Sequence, residues 1–272
     1  MNPIISVIIP SFNSEKTIKA CLASLLNQSI KSEIIVIDDG STDKTAAIVK
    51  TFSGIKFLTQ SHQGPAIARN LGAKNSHGEI LVFVDSDMEF DINFLQDSTA
   101  PIVDGKSKGS WSGNESVRNW NSVWARCWNY NQNRFTPKMT GNKGQRRVFR
   151  AILKSEFDKV NGFDAAGYTD DWSLVKKLGY QPTVTQAEFY HYNPDTLLKI
   201  FFQASWIGKR QYKLGKLGTI LTMLKSNAAF SVSIGLFKSI IFINPQFLIF
   251  KLIYDLGIFV GAFENLCFGF YY

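Results

Sequence analysis

Residues 4–13 read Ile4-Ile5-Ser6-Val7-Ile8-Ile9-Pro10-Ser11-Phe12-Asn13. A continuous β-branched run with no polar alternation, closed by Pro and small polar residues, is the pattern of a strand buried on both faces of a parallel sheet. Working outward, the same unit returns three times. Asn13 or Ser14 is placed to cap a helix whose Ile18, Leu22, Leu25 and Leu26 share one stripe. Glu33 to Ile37 is a second strand, ending at Asp38-Asp39-Gly40-Ser41; Ser41 or Thr42 then caps a helix with Ile48, Val49 and Phe52 inward. Ile55 to Leu58 is a third strand, and Gly64-Pro65 opens a helix running to about Asn75. Ile80 to Val84 is a fourth strand, which delivers Asp85-Ser86-Asp87. Repeated strand–helix units predict an α/β, Rossmann-like fold with a mostly parallel central sheet flanked by helices.

From Phe90 the pattern loosens. Asp91 to Val103 reads as a helix, Gly109 to Val117 as a strand, and Asn119 to Phe135 as a helix with Trp120, Trp124 and Trp128 four residues apart. A short helix follows Val148, then the turn Gly162-Phe163-Asp164, then Thr169-Asp170-Asp171-Trp172 leading into another helix. The net charge of +8 asks for an anionic partner: a nucleoside diphosphate, an acidic membrane surface or nucleic acid. Nucleic acid is set aside, because neither a basic stripe with interleaved aromatics nor a known reading module is found. Basic residues cluster at Lys143, Arg146, Arg147 and Arg150, and again at Lys209, Arg210, Lys213 and Lys216. Cys21, Cys127 and Cys267 have no metal-ligand spacing and are expected as free thiols in a reducing compartment. The chain opens on strand-like sequence, with no charged-then-apolar signal segment expected.

Beyond Leu217 the composition changes. Two apolar stretches run from Ile220 to Ile243 and from Phe247 to Tyr272, divided by Asn244-Pro245. Neither is a clean membrane span, since Lys225, Lys238, Lys251, Asp255 and Glu264 interrupt them. Lys251 and Asp255, four apart, give the second stretch a narrow polar stripe. The readings are helices lying in a membrane interface beside the Lys209–Lys216 cluster, a short membrane hairpin, or an oligomerisation surface.

In an open parallel sheet, ligands bind outside the carboxyl ends of the strands. Here those ends carry Pro10-Ser11-Phe12-Asn13, Asp38-Asp39-Gly40-Ser41 and Asp85-Ser86-Asp87, so polar and acidic residues converge on one rim. A capping role accounts for Asp43 more readily than for Asp85 and Asp87. Together with Ala68-Arg69-Asn70, Val160-Asn161-Gly162-Phe163-Asp164 and Thr169-Asp170-Asp171-Trp172, these segments resemble the successive signatures of family 2 glycosyltransferases, over residues up to about Lys216. The resemblance implies the glycosyltransferase A-type fold, a sugar-nucleotide donor, a divalent metal (Mn²⁺ or Mg²⁺) and inversion at the anomeric carbon.

The resemblance also implies roles. Asp39, with Asp38 beside it, accepts from the ring N–H of the base. Backbone groups around Pro10, Ser11, Phe12 and Asn13 hold base and ribose, and Phe12 stacks where relatives more often have Tyr. Arg69 reaches the diphosphate, unless it lies on a solvated helix face. Asp85, Ser86 and Asp87 line an extended segment, with Asp87 chiefly on the metal and Asp85 nearer the ribose. Asp171 is the general base with Asp170 as its neighbour, Asp standing where Glu is usual; the alternative is a helix cap. Trp172 offers an apolar face to an acceptor sugar. His191, in Phe189-Tyr190-His191-Tyr192, is either a third metal-side residue or a packed core histidine, and His77 is a turn residue.

On this reading residues 1–216 form the catalytic domain, with a nucleotide-binding half over 1–104 and an acceptor-binding half over 105–216, and residues 217–272 form a membrane-associating helical tail. Processive relatives carry Gln-x-x-Arg-Trp after the base; here Gln203-Ala204-Ser205-Trp206 lacks that ending, which favours single addition. The expected donor is a nucleoside-diphosphate sugar, UDP before GDP or dTDP. The expected acceptor is a glycan or polyprenyl-linked glycan at the cytoplasmic face of a membrane, the protein being peripheral or monotopic. The rival readings are a catalytically silent nucleotide-sugar-binding scaffold and a sugar-phosphate nucleotidyltransferase. The second needs a Gly-rich loop after the first strand, where Pro10-Ser11-Phe12-Asn13 stands.

Overall fold

A computed structural model describes residues 4–138, 147–165, 171–210 and 212–269. They fall into two compact units, the first holding 4–116, 138, 147–165 and 171–191, the second 117–137, 192–210 and 212–269.

The first unit is built on β1 (Ile5–Ser11), buried along its whole length. It pairs in parallel with β2 (Glu33–Asp38) on one side and β4 (Ile80–Phe83) on the other, and β3 (Ile55–Thr59) extends the sheet beyond β2. Successive side chains of a strand point to opposite faces, so Val7 and Ile9 join one core with Ile18, Leu22 and Phe94, while Ile8 joins the other with Ile35, Ala68 and Phe83. The crossover helices are α1 (Ile18–Leu26), α2 (Thr45–Val49) and α3 (Pro65–Lys74). α3 lies so close to the sheet that a Cβ on Gly72 would come within 2.5 Å of Ile8 and 2.6 Å of Ile37.

The other half of the sheet differs from the sequence expectation. The strand order is β3-β2-β1-β4-β7-β6-β8-β5, with β5 (Met88–Phe90), β6 (Gly109–Val117), β7 (Ala151–Leu153) and β8 (Thr183–His191). The pairs β4–β7, β6–β7 and β5–β8 are antiparallel. The sheet is therefore mixed, not mostly parallel. β5 and β7 have three residues each, too few to show a period, and their partners lie far along the chain. α4 (Phe94–Val103), α6 (Lys154–Lys159) and α7 (Ser173–Leu178) complete the unit.

Two expected caps are elsewhere. α1 begins at Ile18 after Thr17, because Asn13 (φ 49°) and Ser14 turn sideways to bond the loop after β2. At α2, Asp43 rather than Ser41 or Thr42 accepts from the Thr45 amide. Of the expected α1 stripe Ile18, Leu22 and Leu25 are buried, whereas Leu26 faces water.

The second unit is helical: α5 (Val123–Asn131), α8 (Leu197–Gly208), α9 (Gly215–Lys225), α10 (Ala228–Ile241) and α11 (Gln246–Phe268). Its core gathers Trp128, Ile200, Ala204, Phe247, Phe250 and Ile258. The two apolar stretches become three helices, because Asn227 caps α10 through the Phe230 amide and breaks the first stretch, leaving α9 and α10 bent by 59°. α11 is long and apolar enough to cross a membrane by length and composition. The expected polar stripe on it is corrected: Asp255 is buried, 2.7 Å from Lys251 Nζ and 2.7 Å from Ser231 Oγ of α10. Lys238 likewise turns inward, to Tyr130 O at 3.2 Å and Asn133 Oδ1 at 2.9 Å, and Glu264 pairs with Lys209 at 2.6 Å.

α8 and α11 approach at backbone distance. A Cβ on Gly257 would lie 2.6 Å from Phe201 O, one on Gly208 2.5 Å from Ile258 O, and one on Gly261 would overlap the Ser205 carbonyl. Gly257 and Gly261 have the small-x-x-x-small spacing that permits such a crossing. Because backbone cannot move aside as a side-chain tip can, Gly261→Val is expected to lose about 3 kcal/mol of stability or more in denaturant unfolding, with Phe263→Ala on the outer face losing far less. Equal stability of Gly261→Val and the parent would refute the close crossing.

Candidate functional site

The carboxyl ends of β1, β2 and β4 carry the expected residues to one rim. Pro10 and Ser11 close β1; Ser11 Oγ is buried with no hydrogen-bond partner, and the Phe12 ring stands 44% exposed beyond it. Asn13 Oδ1 accepts from the Thr42 amide at 2.9 Å, its own amide donates to Ser41 Oγ at 2.9 Å, and the loops after β1 and β2 are stitched together. Asp38 accepts from the Ser41 amide at 3.3 Å.

Asp39 is buried and fully engaged. Oδ1 accepts from Gln60 Nε2 at 2.6 Å and the Gln63 amide at 2.9 Å; Oδ2 accepts from the Gly64 amide at 2.9 Å and faces His62 Nδ1 at 2.9 Å. The His62 ring lies over Phe12, centroids 4.1 Å apart and planes within 22°. Both residues expected to receive a base are thus in contact with one histidine.

Arg69, on α3, is 5% exposed, so the solvated-face alternative does not hold. Its Nη2 lies 2.7 Å from Asp85 Oδ1 and its Nη1 2.7 Å from Asp171 Oδ1. One guanidinium joins the carboxylate at the end of β4 to the one before α7. Arg150, just before β7, adds a second cation 3.8 Å from Asp85 Oδ2. Burial works to raise the Asp85 carboxyl, but the Arg69 and Arg150 charges outweigh it and hold it below the ordinary carboxylate value. Trp172 holds the N-cap position of α7, and the Asp171 carboxylate reaches Arg69. Asp170, Lys143 and Arg146 lie outside the described residues.

Asp85 and Asp87 do not share an extended segment. The chain turns between β4 and β5, with the Met88 amide on Asp85 O at 3.3 Å, and the two carboxylates go to different partners. Asp87 Oδ2 meets His191 Nε2 at 3.1 Å, because the β5–β8 register sets Met88 opposite His191. Asp87 Oδ1 is buried without a hydrogen-bond partner. His191 Nδ1 lies 3.6 Å from Glu115 Oε1 on β6. Burial works against the imidazolium, but Asp87 and Glu115 outweigh it and raise the His191 pKa to about 9, so the ring is protonated at neutral pH. His191 is thus ion-paired with Asp87 and faces Glu115. Ser86, between the two acids, bonds Ser14 Oγ at 2.7 Å.

Among the described residues no three His, Cys, Asp or Glu side chains gather as a metal cage. The chemistry of Asp87 nevertheless fits a hard divalent ion, since its Oδ1 is a buried carboxylate oxygen with no hydrogen-bond partner, whereas His191 beside it would have to give up its proton before it could join as a ligand. Asp85 is turned to the two arginines and fits less well. A cleft of about 730 Å³ at the opposite ends of β1 and β2, lined by Ile4, Ile30, Glu33, Gln96 and Val103, contains none of these residues.

Sequence reasoning missed His62, Glu115 and the Asp85 role of Arg150. Arg150 was visible as a member of a basic cluster; the other two are brought in by the loop after β3 and by an antiparallel strand, and carry no local signal. His77 lies in the loop between α3 and β4, 2.8 Å from Glu33 Oε1, and the three cysteines are free.

The family described as "Glycosyl transferase family 2" matches residues 6–156, more than half of the chain. An "Uncharacterized glycosyltransferase" of Haemophilus influenzae is 40% identical over 106 residues, covering 34% of this chain and 42% of the relative. Poly(ribitol-phosphate) beta-N-acetylglucosaminyltransferase TarS of Staphylococcus aureus is 38% identical over 105 residues, 36% of this chain and 18% of its own. These matches span less than half the length of either relative. The structure of TarS residues 1–349 with UDP superposes with a TM-score of 0.53 at 20% identity, over 99% of this chain and 93% of that one. Glucosyl-3-phosphoglycerate synthase from Mycobacterium tuberculosis, solved with Mn²⁺, UDP and phosphoglyceric acid, superposes at 0.51 and 19% identity, over 76% of each. The mixed sheet, its flanking helices and the rim at the strand ends are those of the glycosyltransferase A-type fold, and the chain belongs to glycosyl transferase family 2.

Proposed function

We propose that the chain moves one sugar from a nucleoside-diphosphate sugar, a UDP-sugar foremost, to a hydroxyl of a lipid-linked or cell-surface glycan, with inversion. The observation that carries this reading is the Arg69 bridge, which fixes a donor-side acid, Asp85, and an acceptor-side acid, Asp171, on one guanidinium. A single displacement needs these two parts: a place where the leaving diphosphate is neutralised and a carboxylate that takes the acceptor's proton as the bond forms. Phe12 and Asp39 hold the base, the backbone at Pro10–Asn13 and Asp38 the ribose side, and Ser86 the loop between. Asp171 is the base, with Asp170 beside it, and Trp172 faces the acceptor sugar. Arg69, expected on the diphosphate, acts instead by positioning both acids. Asp87, with His191 and Asp85 at its flank, would hold Mn²⁺ or Mg²⁺, which when bound would supply Lewis-acid charge neutralisation for the leaving diphosphate. TarS, solved with UDP and named for a poly(ribitol-phosphate) acceptor, supports a uridine donor and a cell-surface glycan. The M. tuberculosis synthase, solved with Mn²⁺, supports the metal.

A silent scaffold has no need to keep Asp39, Asp85, Asp87 and Asp171 together. Asp171→Asn, which keeps the shape and loses the proton affinity, is expected to lower turnover by roughly two to four orders of magnitude, read as UDP release from the best UDP-sugar with a lipid-extract acceptor. UDP affinity is expected to stay nearly constant. Turnover above about a tenth of the parent would remove Asp171 from the role.

The second unit is read as a membrane-docking element at the cytoplasmic face. Its interrupting charges Lys238, Lys251, Asp255 and Glu264 are answered by other groups of that unit, while Leu217, Leu224, Phe237, Ile240 and Ile243 point outward, the last two 77% and 91% exposed. Soluble monomers avoid an apolar surface of that kind. Lys213 and Lys216 stand exposed at the start of α9, where each adds about 1 kcal/mol toward an anionic leaflet. Full-length protein is expected to float with liposomes containing anionic lipid and to bind less as salt rises. Protein that stays at the bottom of the gradient as a dimer or larger oligomer would assign this face to self-association instead.

A further inference from the structure

We propose that His62 holds the place of the nucleobase until a donor arrives, and that the base enters by taking over both of its contacts, which selects bases carrying a ring N–H. This deepens the reading of Phe12 and Asp39 as the base site and rests on it. His62 makes the two interactions expected of the base itself: it stacks on Phe12 at 4.1 Å and places Nδ1 2.9 Å from Asp39 Oδ2. Nδ1 also lies 3.2 Å from the Asp39 carbonyl; both neighbours are acceptors, so Nδ1 carries a hydrogen.

The four contacts on Asp39 fill its carboxylate, which has about four lone-pair sites. An incoming N–H therefore has to replace one of them. Two are backbone amides fixed at the start of α3, and Gln60 is partly buried; the His62 side chain is 46% exposed and turns about its own χ angles into water. Of the two side-chain donors, His62 and Gln60, His62 is the more exposed and leaves without moving the main chain. Its successor has to be flat, to lie on Phe12, and has to donate to Oδ2. Uracil and thymine do so through N3–H and guanine through N1–H. Cytosine N3 and adenine N1 are acceptors and meet the carboxylate lone pair to lone pair. Because donor binds only the fraction of molecules with His62 displaced, apparent affinity is lowered by that fraction.

The test is calorimetric titration of UDP, CDP and pyrophosphate into the parent and His62→Ala. Three donors to Asp39 remain in the variant, so the loop keeps its anchor, and an unchanged thermal midpoint checks this. UDP is expected to bind His62→Ala about 3- to 10-fold more tightly than the parent, with pyrophosphate unchanged and CDP weaker than UDP in both. In the parent, the His62 ring-proton resonances, shielded by Phe12, are expected to shift on adding UDP and not on adding pyrophosphate. Equal or weaker UDP binding by His62→Ala, or ring resonances that UDP leaves in place, would overturn the His62 role while the base site stands. UDP binding to neither protein would overturn both.

Discussion

A guanidinium taken out of water has to be met by carboxylates, and in this protein that requirement ties the site together. Arg69 is buried on α3, and α3 can lie where it does because Gly72 lets it press against Ile8 and Ile37. From that position the fork of the side chain reaches Asp85 at the end of β4 and Asp171 ahead of α7, two acids 86 positions apart in the numbering. A buried charge left unpaired costs on the order of several kcal/mol, so the seating of α3, the end of β4 and the start of α7 are mutually enforced. The low Asp85 pKa is the same fact seen from the acid: two arginines outweigh the burial that opposes its charge.

The parallel half of the sheet was legible because each element announces itself locally. Ile5–Ser11, Glu33–Asp38 and Ile80–Phe83 are dense β-branched runs, and the residues that end them are those on the rim. Phe12, Asp39, Asp85 and Asp87 could be located for that reason. Of the antiparallel half Gly109–Val117 was legible as a strand, but Met88–Phe90 and Ala151–Leu153 have no period to read, and what fixes them is pairing with β8 and β4. That pairing is also what puts His191 against Asp87 and Glu115. The sequence left His191 open between two roles because strand register, not local composition, decides which carboxylates it meets.

His62 shows a further limit. A histidine in Gln60-Ser61-His62-Gln63 carries no local mark of function. It gains one because Asp39, ending the neighbouring strand, anchors the Gln63 and Gly64 amides and so curls that loop back over Phe12. The carboxylate that a base is expected to use is therefore first of all the anchor of a loop, and it keeps its geometry through backbone donors whether or not His62 is present. A rigid acceptor with one exchangeable partner suits recognition better than a free one, since the loop, not the ligand, bears the cost of orienting it.

The helical unit follows the same electrostatic rule with the opposite outcome at its surface. In a chain stretch with few acids, four of the five interrupting charges are answered from within: Asp255 and Lys251 by each other and Ser231, Lys238 by the carbonyls ending α5, and Glu264 by Lys209, while Lys225 stays exposed at the end of α9. A charge so paired can sit beside apolar helices at moderate cost, and the side chains left to face outward are Leu, Ile and Phe. Read as a linear string, the charges argue against an apolar surface. Once folded, they are what makes one, because a lysine turned onto α5 or α11 is a lysine removed from the outer face. At the close α8–α11 crossing Gly208, Gly257 and Gly261 bring the two backbones together beside a core of Trp128, Phe247 and Phe250, so bulky apolar side chains fill the interior and also cover the outer face.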